Sequence, residues 1–183
     1  MAAPPDPDVP ARERILDAAE QLFAAHGFDA TPTSRIAGLA GVPKGLVHYY
    51  FRRKPDLLEA LVERLPHPVR GADVAVAGDV LAGLRALVTA LDRALDGSAV
   101  LSHLLWREAD THPAVRAALQ RRTGELEDAV HEVLTTGGGA PGRVRGAARL
   151  LAAAIGHRHA LARHADDAPA DMEAELAFVA DGL

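Results

Sequence analysis

Between residues 30 and 55 the chain carries Arg35, Lys44, Arg52, Arg53 and Lys54, and no Asp or Glu. His48, Tyr49 and Tyr50 fall inside the same stretch. Cationic and aromatic groups interleaved in this way suit a phosphate-lined surface. Fixed positive charge draws a polyanion, and hydroxyl donors fix its register through phosphate oxygens. The formal net charge of −5 points the other way, but its distribution does not. Five of the 20 Lys/Arg sit in this acid-free stretch, so the remainder sets 15 against 25 Asp/Glu. Binding follows the potential at the contacting face, and that face is basic.

Other chemistries find less support. The absence of cysteine removes disulfides, thiolate metal sites and a cysteine nucleophile, and fits a reducing compartment. No two histidines stand four residues apart with an acid between them, as on a zinc-protease helix, so no metal and no cofactor are expected. GxSxG is missing, and no glycine-rich run follows a strand as a phosphate-cradling loop or a dinucleotide fingerprint must. Gly137–Gly139 follows a helical pattern and leads into Pro141, which marks a break. Ser98, His103 and Asp110 are near one another in sequence but lack any nucleophile context. The expectation is a protein that is not an enzyme. A helical enzyme and a helical adaptor without DNA binding are the competing classes, and neither accounts for the acid-free basic stretch.

The elements that would position these residues read as helices throughout. Only 4% of the chain is aromatic, while Ala, Leu and Val dominate its 49% of hydrophobic residues. Residues 1–10, with four prolines, read as a disordered arm and lack the basic-then-apolar order of a signal peptide. Ile15, Ala18, Ala19, Leu22 and Phe23 recur at helical spacing over residues 11–26, and Gly27 is placed to end that helix. Thr31-Pro32 reads as a hydroxyl cap followed by a first-turn proline, starting a helix over 32–40 with Ile36, Ala37 and Ala40 inward. Gly41-Val42-Pro43 is a tight turn, and residues 44–51 form a third helix anchored by Val47 and Phe51. Pro55 opens a fourth with Leu57, Leu58, Leu61 and Leu65 on one face. Five more are expected, over about 79–95, 98–110, 113–135, 143–165 and 169–183. The sum is an all-α chain of about nine helices.

Two short helices joined by a glycine turn, with small residues where they approach and a polar outer face, meet the demands of a helix-turn-helix. The run Thr33-Ser34-Arg35-Ile36-Ala37-Gly38-Leu39-Ala40-Gly41-Val42-Pro43-Lys44-Gly45-Leu46-Val47-His48-Tyr49-Tyr50-Phe51, followed by Lys54 and Leu57-Leu58, resembles the DNA-binding domain of the TetR family of transcription regulators. The likeness covers about residues 12–64.

The resemblance implies an N-terminal three-helix DNA-binding domain over 11–65 and a larger ligand-binding and dimerisation domain over 66–183. It implies DNA contacts by Thr33, Ser34 and Arg35 on the second helix and by Lys44, Gly45, Leu46, His48, Tyr49 and Tyr50 on the third. Lys54 matches the family's recurrent phosphate-binding lysine. Leu46 stands where a small or hydroxyl residue is frequent and suits a thymine methyl. Pro43 replaces a common capping serine, at the loss of one cap bond. Arg52 and Arg53 read as diffuse positive charge, and Tyr50 is equally compatible with half-core packing.

The resemblance further implies a homodimer, through helices 143–165 and 169–183, on a palindromic operator, with release by a small-molecule effector and repression as the commoner mode. His103, Trp106, Arg107, His157 and His164 are candidate polar groups for that effector. No stretch approaches the ~20 apolar residues of a membrane span, so a cytoplasmic protein without membrane contact is expected.

Overall fold

The computed structural model describes residues 9–96, 98–162 and 170–183. Ten helices and no strand occur among them. They are α1 (Ala11–His26), α2 (Thr33–Leu39), α3 (Lys44–Tyr50), α4 (Pro55–Val62), α5 (Gly71–Val74), α6 (Val80–Asp96), α7 (Ala99–Glu108), α8 (Pro113–Thr136), α9 (Pro141–Ala162) and α10 (Glu173–Asp181). The expected all-α architecture holds, with one helix more than the sequence pattern suggests. The expected arm over residues 1–10 falls mostly on residues 1–8, which lie outside the described residues, as do Gly97, His164 and Pro169.

Packing divides the chain into two units. One holds the residues up to Leu65 together with Val100–Leu119, and the other holds Pro66–Ala99 and Gln120–Leu183. The sequence reading groups all of 66–183 together. The difference arises because Leu101, Leu104, Leu105, Val115 and Leu119 bury their side chains in the same core as α1 to α4.

In the first unit α1 buries Ile15, Leu16, Ala18, Ala19, Leu22 and Phe23, and Gly27 ends it at φ 85°, a backbone conformation open to glycine. Thr31 is not the cap of α2 that its place before Pro32 suggests. Its side chain is fully buried, and its hydroxyl donates to the Gly27 carbonyl at 2.8 Å with the Leu22 carbonyl 3.3 Å away. An orphan carbonyl at the end of a helix competes for that hydroxyl as strongly as the free N–H groups of the next one. Accordingly α2 starts at Thr33, with Pro32 before it and no side-chain cap bond.

Arg64, just past α4, ties back to α1 by pairing with Glu13 and Asp17, each at 2.7 Å. Its hydrogen bond holds the Glu13 carboxyl below the ordinary carboxylate range, whereas burial raises that of nearby Glu20. A carboxyl depressed in the folded state adds stability above its unfolded pKa and loses it as pH falls through the folded value. Glu13→Gln is therefore expected to be less stable than the parent at neutral pH by no more than ~1 kcal/mol, because the pair is partly exposed. That gap should close toward about pH 3, as read by urea unfolding at both conditions.

The second unit is built on α6, α8, α9 and α10, whose Leu84, Leu87, Val130, Val133, Leu134, Leu151, Ile155 and Leu176 form a separate core. The additional helix α5 lies in the proline-rich connection and has no apolar periodicity to announce it. It forms because Gly71 packs directly on α8, where a Cβ would come within 2.4 Å of the Ala129 carbonyl. A bidentate pair from Arg158 to Asp92, at 2.7 and 2.9 Å, joins α9 to α6. Helix α9 begins at Pro141, two residues earlier than expected, since proline is favoured at a first helical position. Helix α10 begins at Glu173 rather than near 169.

Candidate nucleic-acid interface

The turn between α2 and α3 rests on Gly41, whose φ of 63° provides the left-handed bend. Ala37 and Ala40 are buried where the two helices meet, and Ile36 is fully enclosed. On α3, Val47 is the fully buried anchor, and Phe51, directly after the helix, is 5% exposed. The helix is seven residues long, so one turn of apolar contact fixes its roll. Five of its other six residues face out. Lys44, Gly45, His48, Tyr49 and Tyr50 are exposed, and Leu46 is half-buried. Tyr49 is 76% exposed and Tyr50 41%, their rings meeting edge to face at 5.2 Å. Helix α3 starts after Pro43 without a side-chain cap bond, as the proline implies.

On α2, Ser34 and Arg35 are exposed and Thr33 is half-buried. The cations divide into two kinds. Among the described residues Arg35, Lys44 and Arg52 have no hydrogen-bond or ion-pair partner, and Arg52 joins Arg35 and Lys44 as free positive charge. Arg53 is neutralised: its guanidinium holds Asp56 through two bonds at 2.9 and 3.1 Å, and its backbone N–H reaches the same carboxylate at 2.9 Å. Counting acids only to residue 55 misses this partner, although the i, i+3 spacing of Arg53 and Asp56 is readable at the start of a helix.

Lys54 is engaged too. Its ammonium donates to the carbonyls of Phe28 and Asp29 and lies 4.2 Å from the centre of the Phe28 ring. The lysine therefore closes the loop between α1 and α2, where the resemblance implied a phosphate contact.

Sequence reasoning also missed what supports this loop from the far side. His112 meets the Phe28 ring edge to face at 4.5 Å, and Arg107 donates to the Phe23 carbonyl at 3.2 Å. Neither residue carries a local signal for such contacts, which arise only from tertiary packing.

Of the candidate effector groups, His103, Trp106 and Arg107 lie on α7, with Trp106 and Arg107 exposed and His103 half-buried. His157 is exposed on α9 of the second unit, and His164 lies outside the described residues. No cluster of three metal-ligating side chains occurs among the described residues. No helix among them is long and apolar enough to cross a membrane.

The stretch that holds α3, its glycine turn and its buried anchors is also the stretch in which known proteins match this chain. The profile of bacterial regulatory proteins of the tetR family covers residues 15–61. The HTH-type transcriptional regulator SrpR of Pseudomonas putida is 38% identical over 58 residues, 32% of this chain and 27% of its own length. The sequence match thus spans about a quarter of that relative. Fold likeness extends further. A transcriptional regulator from Pseudomonas aeruginosa PAO1 superposes with a TM-score of 0.74 at 22% identity, over 96% of this chain and 92% of its own. The SmeT–triclosan complex superposes at 0.70 and 20% identity, over 94% and 88%. Taken with the residues that carry the helix-turn-helix, the profile match shows that residues 15–61 form a domain of the type found in bacterial regulatory proteins of the tetR family, and the structural likenesses extend the fold over the rest of the chain.

Proposed function

We propose that the protein is a transcriptional regulator that binds double-stranded operator DNA as a homodimer and is released by a small-molecule effector. One observation carries the DNA-binding half. Helix α3 buries Val47 and Phe51 behind it and turns Lys44, His48 and Tyr49 to solvent, within a stretch of sequence that carries no Asp or Glu. A helix held this way can lie in a major groove, with Lys44 and Tyr49 on phosphate or base edges and Leu46 against a thymine methyl. Thr33, Ser34 and Arg35 then approach the flanking phosphates. The assigned role is binding, not catalysis, and the proposed location is the cytoplasm, where the operator is.

The homodimer is supported by α9 and α10. Gly142, Gly146, Leu150, Ala153 and Gly156 recur every three or four residues along the exposed side of α9, and a Cβ on any of those three glycines would meet nothing within 4 Å. Leu150 is 74% exposed and Phe178 on α10 is 80% exposed. Small residues permit close helix approach, and two such exposed apolar side chains call for a partner surface. The effector half rests on the family likeness. Operator and effector would each weaken the other by the same factor.

Selection of duplexes from a random pool tests the reading in one experiment. The expected product is a two-fold symmetric site, whose affinity falls steeply as salt rises. Enrichment of asymmetric sites would remove the homodimer from this reading, and a failure to enrich any duplex would remove DNA recognition.

A further inference from the structure

Helix α8 turns Leu126, Ala129 and Val133 toward the second core, one, two and three turns beyond Arg122. Arg122 thus occupies a position in an apolar stripe where a leucine would be ordinary. It is half-buried, and its guanidinium donates to the Pro66 carbonyl. Among the described residues no carboxylate pairs with it, and Glu125 acts on it only through space. Two other sheltered arginines are treated differently: Arg158 grips Asp92, and Arg64 grips Glu13 and Asp17. A guanidinium offers five N–H donors, and one carbonyl oxygen satisfies few of them and none of the charge. Partial burial pulls its pKa below the ordinary arginine value, and the charge of Glu125 offsets only part of that pull. A cation placed this way keeps unused donors and unneutralised charge for an anion that reaches it.

The neighbours describe the rest of the visitor. Leu126, one turn along α8, and Val69, three residues past Pro66, are both partly buried at the edge of the same core. An apolar body would find surface there, while a planar two-oxygen head would match the guanidinium fork.

We propose that Arg122 anchors a small organic monoanion, a carboxylate with an apolar body, which takes the guanidinium from the Pro66 carbonyl. This inference rests on the effector reading above and names the effector's chemical class. Pro66 directly follows Leu65, the last residue of the first unit before the chain leaves it. Exchange of carbonyl for carboxylate therefore unties the connection that follows the DNA-reading helices.

The test is calorimetric titration of the full chain with monocarboxylates from hexanoate to dodecanoate and with arylacetates, each set against its neutral primary amide. At least one carboxylate is expected to bind ~10-fold or more tightly than its amide, the advantage of a charge-assisted fork. In Arg122→Gln that preference should vanish while circular dichroism remains that of the parent. If Arg122→Gln does not fold, Arg122→Lys serves, and should retain a reduced preference for the anion because charge remains without the fork. Equal binding of acid and amide overturns the proposal. So does an undiminished preference in Arg122→Gln, an unreduced one in Arg122→Lys, or binding by no member of the panel. Retardation of the selected duplex, run in parallel, separates the two readings. Release of DNA by a neutral compound alone would sink the role of Arg122 and leave a ligand-responsive regulator standing. Carboxylates that bind through Arg122 but never release DNA would sink the effector reading on which the proposal rests.

Discussion

Gly45→Glu is expected to yield a folded protein that melts no lower than the parent and has lost DNA affinity by about 100-fold or more. The stability half follows from the free protein. Gly45 is exposed on α3, and a Cβ built there meets nothing within 4 Å. A side chain is therefore admitted without displacement. Replacing a helical glycine by glutamate adds roughly 0.5–1 kcal/mol of helix propensity. An acid in the first turn also opposes no part of the helix dipole. The binding half follows from what the residue would face. A carboxylate at the second position of α3 stands beside Lys44 and cancels its charge. It also holds the helix off a groove that glycine lets it enter closely. Like-charge contact across an interface costs several kcal/mol, and ~2.7 kcal/mol is already a factor of 100. Gly45→Ala separates the two causes, since it adds bulk without charge and should lose far less. Thermal melting and gel retardation on the selected duplex read both quantities. Retained affinity in Gly45→Glu would mean that the start of α3 does not face the DNA.

How far the sequence speaks can be followed residue by residue. Val47, Phe51, Ile36 and the stripe of α1 were readable because a buried side chain leaves a periodic trace. Gly41 was readable because a positive φ narrows the choice of residue. The exposed face of α3 followed by subtraction. What stayed hidden was who partners whom. Thr31, Arg53 and Lys54 are polar residues near helix ends, where carbonyls, free N–H groups, carboxylates and phosphate all compete for the same donor. Local pattern ranks these partners no better than evenly. Tertiary placement gave Thr31 to Gly27, Arg53 to Asp56 and Lys54 to Phe28 and Asp29. The same holds for α5, a single turn produced by a glycine contact and not by its own sequence. On α9 small and apolar residues occur all round the helix, so sequence alone does not separate its faces: Ala148, Ala152, Leu151 and Ile155 are inward, while Leu150 and Gly156 face out.

The contest over Lys54 has a measurable resolution. Lys54→Met keeps the stem of the side chain and removes its ammonium. The lost bonds to two carbonyls and the lost contact with the Phe28 ring together amount to about 2 kcal/mol. At roughly 2–4 °C per kcal/mol for a chain of this size, melting should fall by about 4–8 °C. Lys44→Met is the matched control, because Lys44 is exposed and has no partner among the described residues. It should melt like the parent and lower the slope of log affinity against log salt by about one. A lysine that neutralises a phosphate changes that slope. A lysine spent on carbonyls changes stability and leaves the slope alone. If Lys54→Met instead melts normally and loses one unit of slope, its ammonium leaves Phe28 for the backbone of the DNA, and the loop between α1 and α2 is held by Thr31 and the aromatic contacts alone.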